Sequence, residues 1–187
     1  MRVDLESFEE RYAHERDPWS FESSHYEQRK YAITVASLPA ARYRRCFEPG
    51  CSIGVLTERL AGVADEVVAL DASASAVDAA RRRLAGSPHA VISVGSLPEA
   101  WPRGTFDLVV MSELGYYWDE LELEQVVDRT LRSIEPGGHL VAVHWLGSSA
   151  DHLLHGADVH RIIDAAATRR IVHHVDEEFV LDVWEQS

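Results

Sequence analysis

A chain of 187 residues, 46% hydrophobic and 26% charged, carries enough apolar material for one full core and leaves no room for a separate substrate domain. Asp and Glu outnumber Lys and Arg by 31 to 18, a formal net charge of −13, so nucleic acid and anionic membrane are disfavoured as partners and a cationic or neutral small molecule is favoured. No apolar run approaches the ~20 residues that cross a bilayer, the start has no signal-peptide core, and Cys46 and Cys51 match no zinc or redox spacing, so a cytoplasmic protein with free thiols is expected.

Residues 3 to 16 set Leu5, Phe8 and Tyr12 at helical spacing among acids, and Asp17-Pro18 breaks the pattern. A second helix is predicted from Ser24 to about Leu38, with Tyr26, Lys30 and Ile33 at helical intervals and Pro39 closing it. Arg44 to Glu48 reads as the first strand, Pro49 to Gly54 as a Gly-rich turn, and Val55 to Leu60 as a helix. Val67 to Leu70 is a second strand that ends at Asp71, and Ala72-Ser73-Ala74-Ser75 is an N-cap signature for a helix over 76–84. Val91 to Val94 is a third strand, short and apolar as buried parallel strands are. Phe106 to Met111 is the fourth, followed by an amphipathic helix from Asp119 to Ile134 that Glu135-Pro136-Gly137-Gly138 stops. His139 to Trp145 is the fifth strand, 147–158 a polar loop with several histidines, and Val159 to Ala167 a short helix. Arg169 to His174 and Phe179 to Trp184 alternate as a closing strand pair, the last antiparallel. The series predicts a Rossmann-like, doubly wound α/β fold with a mostly parallel seven-stranded sheet between helical layers.

The turn after the first strand carries the functional signal. Gly50 allows the tight turn and Gly54 a close helix start, while Asp71, about twenty residues after the turn, can accept both hydroxyls of a ribose. Ser52 puts a side chain where a pyrophosphate needs bare backbone, and Glu48 sets a carboxylate at the mouth of the turn, where it repels phosphate. S-adenosylmethionine (SAM) has the ribose and adenine, no phosphate, and two cationic centres. It fits both features better than NAD.

The string Phe47-Glu48-Pro49-Gly50-Cys51-Ser52-Ile53-Gly54-Val55-Leu56-Thr57 resembles motif I of class I SAM-dependent methyltransferases. With Tyr26-Glu27-Gln28-Arg29-Lys30-Tyr31, Ser112-Glu113-Leu114-Gly115-Tyr116-Tyr117 and Val143-His144-Trp145, it is similar to the nodulation protein S group, N-methyltransferases of amino-sugar oligosaccharides. The resemblance implies one methyltransferase domain over 1–187, with residues 1–40 as a helical lid and 41–187 as the core. It implies a SAM site of Arg29, Glu48, Gly50, Cys51, Ser52, Gly54, Asp71, Ala72, Ser96, Leu97, Ser112 and Glu113, with Arg29 on the methionine carboxylate. It also implies an acceptor cleft walled by Trp19 and Tyr26, although these aromatics could equally pack the helices onto the sheet. Where the family commonly has an Asp for the adenine amine, this chain has Ser96.

In open parallel sheets ligands lie off the carboxyl ends of the strands, a rule that gathers Glu48, Asp71, Ser96, Glu113 and His144. An amine must be neutral to attack a sulfonium methyl, so a carboxylate to bind its ammonium form and a base to take its proton are sought. Glu113 and His144 are the catalytic candidates, with His144, Tyr116 and Tyr117 lining the acceptor's place. His152, His155 and His160 lie close in sequence without a familiar zinc spacing, so no metal is expected. An NAD-dependent oxidoreductase and a non-catalytic SAM-binding module are the rival readings.

Overall fold

Short apolar runs alternating with amphipathic stretches give seven strands, six α-helices and one 3-10 turn in the computed structural model, which describes residues 5–167 and 169–187. In chain order they are α1 (Leu5–His14), α2 (His25–Ala36), β1 (Tyr43–Pro49), α3 (Val55–Ala61), β2 (Ala64–Asp71), α4 (Ala74–Arg83) and β3 (Ala90–Val94). They continue with β4 (Phe106–Ser112), the 3-10 turn (Gly115–Tyr117), α5 (Glu120–Ser133), β5 (Ile134–Trp145), α6 (Gly156–Ala166), β6 (Arg169–Val175) and β7 (Phe179–Glu185). The sheet is seven-stranded, in the order β3-β2-β1-β4-β5-β7-β6, and β7 runs antiparallel to both its neighbours, as the sequence predicts. The chain divides at Pro102 into two compact units. Residues 1–4, where the first predicted helix was to begin, lie outside the described part.

In the first unit β1 pairs parallel with β2, Cys46 opposite Val67 and Glu48 opposite Ala69, and β2 pairs parallel with β3. Cys46, Phe47, Leu60, Val67 and Ala69 form its solvent-free centre. β3 is the terminal strand of the order, and Val91 and Val94 are 55% and 51% exposed, so it is an edge and not the buried strand its apolar run suggested. Helix α2 also departs from expectation. Its buried face is Glu27, Lys30, Tyr31 and Thr34, the i, i+3, i+4, i+7 stripe, one step round from Tyr26 and Ile33. Two charges are tolerated there because Lys30 and Glu27 pair at 3.0 Å and the ammonium lies 4.7 Å from the centre of the Tyr26 ring.

In the second unit β4 and β5 pair in parallel, with Val110 opposite Val141, and β5, β7 and β6 follow as antiparallel neighbours. Strand β5 begins at Ile134, five residues before the predicted His139, because Glu135 to Gly138 is absorbed as a register shift opposite Phe106 and Leu108. Gly138 is needed at that bend, since a Cβ would lie 2.8 Å from Ile134 Cγ2 and 2.9 Å from the Glu135 carbonyl. Helix α5 is capped by Asp119, which accepts from the Glu122 amide at 3.0 Å, and it buries Leu123, Val126 and Val127. Helix α6 starts three residues before the predicted Val159, because the His155 ring accepts from the Ala157 amide and serves as the cap. No helix among the described residues is long and apolar enough to cross a membrane.

Candidate functional site

The turn from β1 into α3 holds three residues in the left-handed region, Gly50 (φ 73°), Ser52 (φ 51°) and Gly54 (φ 79°). Glycine is required at 54 for a second reason, since a Cβ there would come within 3.0 Å of both Ala80 and Leu84. The turn is tied to β2 by the Gly50 and Cys51 amides, which donate to the Leu70 carbonyl at 2.7 and 3.0 Å. Arg83 of α4 fixes its far side through the Ile53 carbonyl at 3.0 Å. Asp71 organises the rim, one carboxylate oxygen accepting from the Ser52 amide at 2.8 Å and the other from the Ser73 amide at 2.9 Å. The Gly95 amide, at the end of β3, donates to the Asp71 carbonyl, which sets Ser96 and buried Leu97 beyond the same strand end.

Glu48 sits at the head of this turn, 2% exposed, and its Oε2 has no hydrogen-bond partner. Burial pushes its carboxyl up to about 8, eased by the nearby Thr57 hydroxyl and reinforced by the charge of Asp71. Asp71 is raised as well, by burial first, against the pull of the Ser73 and Ser52 amides. Burial, together with these two carboxylates, also raises the Cys51 thiol, which removes it from nucleophilic work. A buried carboxyl with one oxygen unpartnered, beside the half-buried Asp71, is a receptor for positive charge.

Helix α1 lies against that rim. Tyr12 shares a hydrogen bond with the Ser52 hydroxyl, and Glu9 accepts from the Ser73 and Ser75 hydroxyls at 2.6 Å each. Those bonds hold the Glu9 carboxyl below the ordinary carboxylate range and put a negative charge at the start of α4. Trp19 packs against Phe8, Tyr12 and Phe21, with ring centres 5.3–6.2 Å apart, so it serves helix packing. Arg29 is half-buried on α2, and the fully buried cation of that helix is its neighbour Lys30.

The second unit brings together another cluster. Ser112 ends β4 and Glu113 follows in the left-handed region (φ 54°), an uncommon posture for a side-chain-bearing residue. The Glu113 Oε2 accepts from the Tyr116 hydroxyl and from the Trp145 amide, the latter at 3.2 Å. Tyr116 is buried, with Tyr117 edge-on to it at 5.0 Å and His152 stacked on it at 3.7 Å. Burial depresses the His152 ring below the usual imidazole range against the opposing charge of Glu113, and its Nδ1 is buried without a partner.

His144 departs from its expected role. It is 0% exposed, its Nε2 accepts from the Gly115 amide at 3.0 Å, and its Nδ1 meets His160 Nε2 at 3.0 Å. Both ring nitrogens are therefore committed within the protein, and no lone pair is left to take a proton from an acceptor or to bind one. His160 continues to Asp182, with 2.6 Å from Nδ1 to Oδ2. The three clustered histidines thus separate into a stacked ring at 152, a helix cap at 155 and a buried link at 160.

Sequence reasoning missed Glu9, Tyr12, His160 and Asp182. The first two carried a detectable signal, a carboxylate and a phenol one turn apart on a helix predicted to cover the turn. Asp182 carried almost none, because it stands inside the apolar alternation of β7.

The family model for nodulation protein S (NodS) matches residues 4–163. The nodulation protein S of Rhizobium tropici is 31% identical over 137 residues, 72% of this chain and 56% of that protein, so the chain spans little more than half the relative's length. A crystal structure from Pseudomonas syringae, assigned as a methyltransferase, is 42% identical with a TM-score of 0.78, covering 87% of this chain and 99% of that one. The N-methyltransferase NodS of Bradyrhizobium japonicum WM9, solved with S-adenosyl-L-homocysteine, shares the fold at a TM-score of 0.86 and 22% identity over 97% of each chain.

Proposed function

We propose, from the premise that this chain belongs to the nodulation protein S family, that it is a SAM-dependent methyltransferase acting on an amine of a small molecule or amino-sugar. One observation carries the cofactor assignment: the buried, unpartnered Glu48 oxygen beside Asp71, at the head of the turn. A dinucleotide would bring anionic charge to Asp71 and further oppose ionisation of Glu48, whereas the ammonium and sulfonium of SAM favour both ionised carboxylates. Glu48, Gly50, Cys51, Ser52 and Gly54 would line the methionine portion, Asp71 and Ala72 the ribose, and Ser96 and Leu97 the adenine. Arg29 completes the proposed set within the first unit. The lone pairs that Asp71 keeps beyond its two amide bonds suit the ribose hydroxyls.

When bound, SAM supplies a methyl group already activated by its sulfonium, so the protein's own work is alignment and exclusion of water. Glu113 addresses the acceptor. Held by the Tyr116 hydroxyl and the Trp145 amide, its carboxylate binds an amine as ammonium or accepts its N–H, and it would repel a carboxylate acceptor. Tyr116, Tyr117 and the stacked His152 give that carboxylate an aromatic surround that suits a cation or a sugar face.

Thermal unfolding with each cofactor tests the assignment. SAM at a hundred times its dissociation constant stabilises by about 2.7 kcal/mol, NAD leaves the protein unmoved, and Asp71→Ala folds but loses the SAM shift. Stabilisation by NAD without SAM would reject the reading. Demethylated cofactor formed with a panel of amines and amino-sugars, and not with carboxylic acids, would support the acceptor class.

A further inference from the structure

Behind the Glu113 turn runs a line of buried hydrogen bonds whose direction can be worked out atom by atom. The Gly115 amide can only donate, so His144 Nε2 is bare and the ring proton sits on Nδ1. That proton faces His160 Nε2, which must therefore be bare, leaving the His160 proton on Nδ1, 2.6 Å from Asp182 Oδ2. The other carboxylate oxygen accepts from His173 Nδ1 at 2.6 Å, with Arg170 Nε 3.7 Å away. Burial opposes ionisation of Asp182, but the bonds from His160 and His173 outweigh it and hold its carboxyl below the ordinary range. An ionised carboxylate accepts and cannot donate, so it orients every link back to Gly115. Were the line reversed, an N–H on His144 Nε2 would face the Gly115 N–H at 3.0 Å with no acceptor between them.

We propose that Asp182 and His160 are positioning residues for methyl transfer: they fix the His144 tautomer that holds the Gly115 amide, and through that bond they hold the strained turn bearing Glu113 and Tyr116. The inference rests on the reading of Glu113 as the carboxylate that meets the acceptor. The turn has little freedom of its own, since a Cβ on Gly115 would lie 2.4 Å from Val159 Cγ1, so the helix that supplies His160 also fixes where Gly115 sits. Besides Asp182, Arg170 and His173, helix α6 brings Asp164 close to the line, 3.6 Å from Arg170 and accepting from the Trp184 indole at 2.9 Å. The Trp184 ring closes it at 5.9 Å from His160.

Nitrogen-15 NMR of the histidine rings reads the tautomers directly. The wild type at neutral pH should show His144 neutral with its proton on Nδ1 alone. Asp182→Asn keeps the shape but can present a donor to His160, so His144 should cease to be a single Nδ1–H tautomer. Turnover should then fall at least about tenfold while the dissociation constant for SAM stays within about twofold. His174→Gln changes the neighbouring ring on the same strand, which faces Asp176 at 3.6 Å and stands outside the line, and should change neither the His144 tautomer nor turnover. A wild-type His144 protonated on Nε2 would overturn the proposal even if Asp182→Asn does not fold, and so would an altered tautomer in Asp182→Asn with unchanged turnover. A protein that binds SAM yet methylates no acceptor would contradict the functional reading instead, and the wild-type tautomer would still decide the direction of the line.

Discussion

Glu48 carries a carboxyl group to a place that water does not reach, and the consequence is measurable without any substrate. Its folded-state value of about 8 lies well above the ~4.3 of an unfolded chain. The sign of the linkage follows. Below about pH 4 the group is protonated in both states and costs nothing, and stability is lost as pH rises through that window towards 8. Glu48→Gln should therefore flatten the pH dependence and stabilise the cofactor-free protein near pH 7 by on the order of 2–4 kcal/mol, read by urea unfolding, while weakening SAM binding. Glu113→Gln should lower turnover at least about tenfold with SAM affinity retained, because the neutral amide keeps the shape but not the charge. Glu48, Asp71 and Glu113 were legible from sequence because each ends a recognisable strand. The burial of His144 was not, since its partners Gly115, His160 and Asp182 are gathered only by a turn, a helix start and the β5–β7 pairing that sets Ala142 against Asp182.

Among the elements, α1 acts as a clasp, joined to the turn through Tyr12 and to the start of α4 through Glu9. Replacing Glu9 by Ala should speed amide hydrogen exchange across α1 without slowing refolding of the strands, and the α4 start should lose protection with it. Gly54→Ala combines a positive φ with Cβ contacts of 3.0 Å and should destabilise the first unit by about 1–3 kcal/mol, seen as a lower denaturation midpoint. The elements that sequence reasoning located well are those with local chemistry at their ends, such as the Ser73 cap, which accepts from the Ala76 amide at 3.0 Å, and the Asp119 cap of α5. Those it misjudged depend on distant partners. Pro136-Gly137-Gly138 reads as a stop, yet the strand runs through it, out of register with β4 and bonded to Gln186 through Gly137 and Gly138. Val91 and Val94 read as core, yet β3 ends the strand order and both side chains are about half exposed. The polar stripe of α2 is buried because Lys30 and Glu27 satisfy each other, a fact that periodicity of apolar residues does not register.

For the molecule as a whole, a net charge of −13 favours cationic ligands over long range, and buried Glu48 beside half-buried Asp71 repeats that preference at contact distance. The fold agrees at both ends of the comparison, with a near relative at 42% identity and a remote one at a TM-score of 0.86. The central claim is that Glu48 receives a cation, and proton counting tests it most directly. At pH 7 a carboxyl near 8 is mostly protonated, and a seated ammonium or sulfonium favours its ionised form, so SAM binding should expel a proton. Calorimetric titration with SAM in buffers of different ionisation enthalpy should show release of most of one proton per site in the wild type and close to none in Glu48→Gln. Binding of SAM with no proton released by the wild type, or equal release by both proteins, would contradict the account.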